Sequence, residues 1–102
     1  YYEILPIIDS CIARIIEATK AAGTFKKTIF IVASDHGGIE KSHGGETLRE
    51  METPFVICGP GIKKGHKIEN FMMQYDVAST IAAALGLKQP ELWRGRPVDC
   101  FE

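Results

Sequence analysis

The stretch TIFIVASDHGG, residues 28–38, decides how the rest of the sequence is interpreted. Its first half, residues 28–33, is continuously apolar and largely β-branched, which is typical of a strand that is buried on both faces. The apolar run then stops at Asp35 and His36, and two glycines follow directly. A strand that ends in a polar, glycine-rich loop predicts a candidate site at the carboxyl end of that strand.

The segments on both sides of this stretch predict an α/β fold. Upstream, apolar residues at helical spacing predict an amphipathic helix of about five turns that ends near Gly23. Downstream, residues 54–58 predict a second buried strand and residues 67–72 a short third strand. Another helix is expected to begin at Asp76, whose side chain is well placed as its N-cap, and to end at Gly86. This order predicts a piece of a parallel or mixed sheet with helices packed on it.

Length and composition limit the class of protein. The chain has 102 residues, 45% of them hydrophobic and 25% charged, with a net charge of −1, so it is large enough for a single domain only. No basic surface that would bind nucleic acid is evident, and the longest apolar run, residues 29–33, is far shorter than the roughly 20 residues of a membrane span. Because a sheet of two or three strands is marginal alone, and no Met begins the chain, we expect residues 1–102 to be one segment of a larger domain.

The three cysteines predict neither a disulfide framework nor a zinc site. They are odd in number and widely spaced, and none belongs to a C-x-x-C pair. Cys11 lies on the apolar stripe of the first helix and Cys58 in the second strand, so both are expected to be buried as small hydrophobic residues.

The loop after the first predicted strand carries the candidate ligands. Asp35 offers an oxygen and His36 a nitrogen, a mixture that suits Zn²⁺ or Mn²⁺. His43 follows His36 by seven residues. An extended chain of that length spans roughly 23 Å, so a folded loop can return His43 to the same site. Lys41 is a candidate point charge for an anionic substrate.

Each of these residues also has a purely structural interpretation. Asp35 and His36 could form an Asx turn with a surface histidine, and His43 could be a loop residue without a ligand role. Lys41 could be an ordinary solvated lysine. The third histidine, His66, lies in a glycine-flanked turn and is expected to be exposed.

Four segments, taken in order, resemble the C-terminal part of the alkaline phosphatase superfamily. The similarity is greatest to its sulfatase-like and nucleotide pyrophosphatase/phosphodiesterase-like members. The segments are IDSCIARII (8–16), TIFIVASDHGG (28–38), KSHGGETLREMETPFVICGPGI (41–62), and YDVASTIAAALGL (75–87) followed by WRGRPV (93–98). Together they cover nearly the whole chain.

The resemblance implies that the parent protein is a metal-dependent hydrolase of phosphoric esters. Asp35 and His36 match the pair that ligates the metal ion on the nucleophile side, and His43 could match a ligand of the second ion. Two divalent ions are implied, with Zn²⁺ first and Mn²⁺ as an alternative. No segment here supplies the nucleophile, so the upstream part of the same chain is the expected partner, and the fragment alone is expected to be inactive. A periplasmic or secreted location is suggested only by the resemblance.

Departures from the superfamily patterns leave alternatives open. Many sulfatases, as the resemblance implies, have Asn where His36 stands and Lys near His43, serving one Ca²⁺, so histidine at both places favours a two-metal phosphoesterase. The sulfatase signal C-x-[PA]-x-R is absent, because the arginine of Cys11-Ile-Ala-Arg14 comes one residue early and the cysteine is expected on the buried face of a helix. A sulfatase, a phosphomutase or phosphoethanolamine transferase, and a non-catalytic α/β module remain as alternatives.

Overall fold

The computed structural model describes residues 2–102 and contains both helices and strands, which confirms the α/β class. In chain order its elements are α1 (Leu5–Ala21), a 3-10 turn (Phe25–Lys27), β1 (Phe30–Ala33), α2 (Leu48–Met51), β2 (Phe55–Cys58) and α3 (Asp76–Ala84). Residues 67–72 form neither helix nor strand, so the prediction of a third strand there was wrong.

Strands β1 and β2 pair antiparallel and form the sheet. Phe30 lies opposite Cys58, and Ala33 lies opposite Phe55. An antiparallel pair fits the mixed alternative of the predicted sheet rather than the purely parallel one. Since the carboxyl end of β1 and the amino end of β2 meet at one edge, the loop between them, with all the candidate ligands, stays at that edge.

The ends of the two long helices follow the sequence prediction. Pro6 lies in the first turn of α1, where its missing N–H leaves no helical bond unmade. Gly23 and Gly86 follow α1 and α3 with φ angles of +71° and +65°, the left-handed conformation in which glycine commonly ends a helix. No helix within residues 2–102 is long and apolar enough to cross a membrane.

Asp76 does not cap α3 as predicted. It is the first residue of the helix, after Tyr75, and it makes no capping hydrogen bond. Instead its buried carboxylate accepts hydrogen bonds from the backbone N–H groups of Met73 at 2.7 Å and Arg96 at 2.8 Å. The carboxylate therefore joins the segment before α3 to the C-terminal segment, and these bonds compensate the cost of its burial.

The buried residues of the described chain lie around α3, away from the candidate loop. The buried apolar side chains are Ile62, Ala82 and Cys100. Thr80, fully buried on α3, accepts a hydrogen bond from the backbone N–H of Val98 at 3.1 Å. The small core thus fastens the C-terminal segment to α3.

Much of the apolar surface that was predicted to be buried is exposed within residues 2–102. Cys11 and Cys58 are exposed, and so is Val32 in β1, so these burial predictions were wrong. The reason is that, among the elements of residues 2–102, α1 approaches only the 3-10 turn and β1 and β2 approach only each other. No other element therefore covers the apolar stripe of α1 or the faces of the sheet. The solvent-accessible surface of the chain is 8616 Å², whereas a compact protein of the same mass would expose about 5,700 Å².

Candidate functional site

Hydrogen bonds from two side chains to backbone carbonyl oxygens hold the residues at the end of β1 in place. The Ser34 hydroxyl donates to the carbonyl oxygen of His36 at 2.9 Å, and the Gln74 side-chain amide donates to the carbonyl oxygen of Ser34 at 2.9 Å. Gln74 precedes α3, so this bond connects the segment before that helix to the residue next to Asp35. Gln74 was not predicted from the sequence, because no local pattern distinguishes it from other polar residues.

The ring of His36 is oriented with one nitrogen free to bind a ligand. Its Nδ1 lies 2.7 Å from the carbonyl oxygen of Gly37. A carbonyl oxygen can only accept a hydrogen bond, so this contact places a proton on Nδ1 and leaves the Nε2 lone pair available in the neutral ring. Metal-binding histidines commonly donate their second nitrogen to a backbone carbonyl in this manner.

Asp35 and His36 are spaced as two ligands of one ion would be. The Asp35 Oδ2 atom and the His36 Nε2 atom are 3.6 Å apart, and both side chains are exposed. Two ligand atoms about 2.1 Å from a tetrahedral ion lie about 3.4 Å from each other. The separation of this pair therefore matches one edge of a tetrahedral coordination shell.

The loop returns His43 to His36. The ring centroids of the two histidines are 4.4 Å apart, with an angle of 32° between the ring planes. An antiparallel bridge between Ile39 and Ser42 reverses the chain, with Glu40 at φ +54° in the turn. A non-glycine residue in the left-handed region is strained, and such strain is concentrated at functional loops. The sequence prediction that a folded loop could bring the two histidines together is thus met by this geometry.

The short helix α2 accepts backbone hydrogen bonds from the first part of the loop. The backbone N–H of Gly37 donates to the carbonyl oxygen of Glu50 at 2.8 Å, and the N–H of Gly38 donates to that of Arg49 at 3.1 Å. A Cβ atom at Gly37 would overlap the Arg49 carbonyl oxygen. The glycine after His36 is therefore required by a close approach of two backbone segments.

Glu50 also holds the second part of the loop through its side chain. Its carboxylate accepts a hydrogen bond from the Thr47 hydroxyl at 2.6 Å and another from the backbone N–H of Gly45 at 3.0 Å. Sequence analysis did not identify Glu50, although T-x-x-E before a helix is the capping-box pattern and could have drawn attention to it.

Protonation of Glu50 is expected to loosen this loop at acid pH. The Thr47 hydroxyl, then the Gly45 amide, and to a smaller extent the charge of His43 hold the pKa of Glu50 below its ordinary value. The resulting stabilisation is complete above the ordinary pKa of 4.5 and is lost as the pH falls through the lowered pKa. In Thr47→Val we expect the pKa of Glu50 to rise toward the ordinary value, measured by NMR titration of the carboxyl carbon. An unchanged pKa would contradict the assignment of Thr47 as its main cause.

The remaining candidate residues do not join the site. Lys41 is exposed and makes no hydrogen bond or ion pair within residues 2–102, so its substrate role stays a prediction. His66 is exposed, as predicted, and its Nε2 lies 4.0 Å from an Asp99 oxygen. Lys63 donates a hydrogen bond to the same carboxylate, and this bond, together with the lysine charge, lowers the pKa of Asp99. That group is a surface ion pair remote in sequence from the Asp-His loop.

The donor set fits part of a metal centre. Asp35, His36 and His43 supply one carboxylate and two imidazoles, the ligands that Zn²⁺ and Mn²⁺ accept. Across the described residues 2–102, no three His, Cys, Asp or Glu side chains converge as a group that could hold an ion. Asp35 and His36 therefore fit as two ligands of an ion whose coordination needs further groups, and His43 lies beside them.

Taken together, the fold and the loop define a class: an α/β protein whose candidate ligands follow the carboxyl end of a strand. The family model described as "Sulfatase" matches residues 1–87, which is most of the chain. The chain belongs to the sulfatase family and, with it, to the alkaline phosphatase superfamily, which confirms the resemblance seen in the four sequence segments.

Curated relatives include both sulfatases and phosphomutases. Arylsulfatase K of Homo sapiens is 29% identical over 96 residues, covering 89% of this chain and 18% of that protein. The 2,3-bisphosphoglycerate-independent phosphoglycerate mutase 2 of Methanosarcina acetivorans is 34% identical over 95 residues, covering 87% of this chain and 17% of the mutase. The extracellular sulfatase SULF-1 homolog of Drosophila melanogaster is 26% identical over 100 residues, covering 92% of this chain and 9% of that protein. No solved structure matches the chain significantly. The chain thus spans 9% to 18% of the length of these relatives.

Proposed function

We propose that this chain supplies part of the metal site of a protein that hydrolyses phosphoric esters, as monoesters or diesters. Asp35 and His36 bind the ion on the nucleophile side, and His43 binds the second ion. The observation that carries this proposal is the 3.6 Å separation of the Asp35 and His36 ligand atoms, with the His43 ring centroid 4.4 Å from that of His36.

The ligand chemistry supports Zn²⁺ first and Mn²⁺ second. Imidazole nitrogen is a good ligand for both ions, whereas Ca²⁺ is bound almost entirely by oxygen. When bound, a pair of divalent ions would stabilise the charge on the attacking and leaving oxygens of the ester. The protein's own contribution is orientation: the Gly37 carbonyl fixes the His36 ring, and the Ser34 and Gln74 hydrogen bonds fix the backbone beside Asp35.

The proposal includes a larger catalytic domain of which residues 1–102 are one segment. The short coverage of the relatives supports it, because this chain spans 18% of arylsulfatase K. The exposed apolar side chains of α1, such as Ile8 and Ile15, also support it, since surfaces of this kind are normally covered in a folded domain. The nucleophile and the remaining metal ligands would then come from other segments.

Sulfuric ester hydrolysis is the second candidate, and it is favoured by the family itself. The matching family model is described as "Sulfatase", and arylsulfatase K is among the relatives. On that alternative the protein would use Ca²⁺, and the histidines at positions 36 and 43 would be unusual for a sulfatase. The phosphoglycerate mutase relatives favour a third outcome, phosphoryl transfer without net hydrolysis.

The experiment that tests these alternatives compares substrates with the full-length parent protein loaded with Zn²⁺ or Mn²⁺. We expect kcat/KM for an aryl phosphate monoester or diester to exceed that for an aryl sulfate by at least about tenfold, a difference of about 1.4 kcal/mol in transition-state stabilisation. Preference for the sulfate would overturn the phosphoesterase proposal in favour of the sulfatase. Interconversion of phosphoglycerates without hydrolysis would favour the mutase. Absence of all turnover and of metal uptake would identify a non-catalytic module.

A further inference from the structure

Glu50 contacts both parts of the loop that carry the histidines. Its backbone carbonyl oxygen accepts the N–H of Gly37, the residue after His36, at 2.8 Å. Its carboxylate accepts the N–H of Gly45, two residues after His43, at 3.0 Å. One residue of α2 therefore fastens the two histidine segments relative to each other.

The loop is shaped around this carboxylate. The Thr47 hydroxyl fixes one carboxylate oxygen with a hydrogen bond of 2.6 Å. At Gly45 a Cβ atom would overlap the Glu50 carboxylate, which shows how closely the end of this flexible side chain approaches the backbone there. The hydrogen bonds and this close approach place the Glu50 side chain against the segment that follows His43.

Glu50 is not itself placed as a metal ligand. One of its carboxylate oxygens accepts the Gly45 N–H and the other accepts the Thr47 hydroxyl. Within residues 2–102 Glu50 also belongs to no group of three side chains that could hold an ion. Its carboxylate therefore acts on the site through the backbone that leads to His43.

We propose that Glu50 is a positioning residue that holds His43 beside His36 and thereby sets the affinity of the second metal ion. This inference rests on the proposed function, because it takes His43 as a ligand of that ion. Outer groups that orient a metal ligand typically change metal affinity by 10- to 100-fold when they are removed. The effect is expected on the ion bound by His43 and not on the ion bound by Asp35 and His36, because the Gly37 bond uses the Glu50 backbone and survives side-chain replacement.

The test measures Zn²⁺ binding by the full-length protein, with chelator competition to resolve the two ions. In Glu50→Ala we expect the affinity for the second ion to fall by about 10- to 100-fold, with the affinity for the first ion unchanged. In Glu50→Gln the amide oxygen can still accept the Gly45 N–H, so most of the affinity should be retained. Glu46→Ala is the matched control, since it removes an exposed carboxylate from the same loop.

A second readout follows the histidine rings directly in the metal-free protein. With labelled histidine, a nuclear Overhauser effect between the His36 and His43 ring protons is expected in the wild type, where the centroids are 4.4 Å apart. We expect it to disappear in Glu50→Ala and to persist in Glu50→Gln. A role limited to stabilising α2 would lower the melting temperature but would leave this ring contact intact.

The outcomes separate the inference from the function on which it rests. Two ions bound equally well by the wild type and Glu50→Ala, with the ring contact intact in both, would overturn the inference and leave the proposed function standing. A wild type that takes up no divalent ion would overturn the proposed function, and the inference with it. Equal losses of Zn²⁺ affinity in Glu50→Ala and Glu46→Ala would overturn the inference about Glu50, because the effect would then depend only on the loss of a negative charge.

Discussion

Replacement of His36 by Ala is expected to abolish turnover by the full-length protein and to weaken the ion on the nucleophile side by more than about 100-fold. Removing a group that merely orients a ligand costs up to about 100-fold, so removing the ligand itself should cost more. The structural reason is that Nε2 of His36 is the free ring nitrogen and lies 3.6 Å from the Asp35 carboxylate oxygen. The measurements are Zn²⁺ affinity by chelator competition and kcat/KM for an aryl phosphate.

His66→Ala is the matched control for this prediction. It removes another exposed histidine, one whose neighbour is Asp99 and not the Asp-His loop, and it should leave both quantities unchanged. His36→Asn further distinguishes a phosphoesterase from a sulfatase, because Asn is the residue that the resemblance assigns to many sulfatases at this position. Phosphate turnover that survives His36→Ala would contradict the ligand role of His36. Sulfate turnover that is retained in His36→Asn would support the sulfatase alternative.

The parts of the structure that depend on local sequence were predictable. The apolar run before Asp35 becomes β1, and the glycines at 23 and 86 end the two long helices, because strand and helix-end signals act within a few residues. The position of Asp35 and His36 was predictable for the same reason, since both directly follow the residues that form β1. The chain reversal that brings His43 back was allowed by the spacing but is determined by the Ile39–Ser42 bridge.

The parts that depend on distant partners were not predictable. Asp76 looks like a helix cap from its position, yet one of its partners is the N–H of Arg96, 20 residues away. Gln74 bonds the carbonyl of Ser34 across 40 residues, with no sequence signal at either end. Burial, in contrast, was overestimated from the sequence. The apolar stripe on α1 correctly predicts an amphipathic helix, but the pattern cannot show what covers it, and Cys11 is exposed in the described chain.

Replacement of Gly37 by Ala is expected to disrupt the loop although it changes no ligand. A Cβ atom there would overlap the Arg49 carbonyl oxygen and lie 2.8 Å from that of Glu52. Both are backbone atoms, so the overlap can be relieved only by moving the loop away from α2, which breaks the bond from the Gly37 N–H to Glu50. Overpacking of this kind typically costs about 1–3 kcal/mol. Since a misplacement of about 1 Å can reduce catalysis 100-fold, we expect kcat/KM to fall by about that factor.

Gly44→Ala distinguishes steric overlap from backbone strain in the same loop. Gly44 has a φ of +92°, so alanine is strained there, but its Cβ would meet no atom within 4 Å. We therefore expect Gly44→Ala to lower the melting temperature while leaving the exchange of the Gly38 amide hydrogen slow. In Gly37→Ala the same Gly38 amide hydrogen should exchange rapidly, because its bond to the Arg49 carbonyl oxygen is broken. If both variants lost activity equally and Gly38 stayed protected, contact with α2 would not be what fixes His36. If only Gly37→Ala lost activity, the position of His36 would depend on how closely the backbone approaches α2.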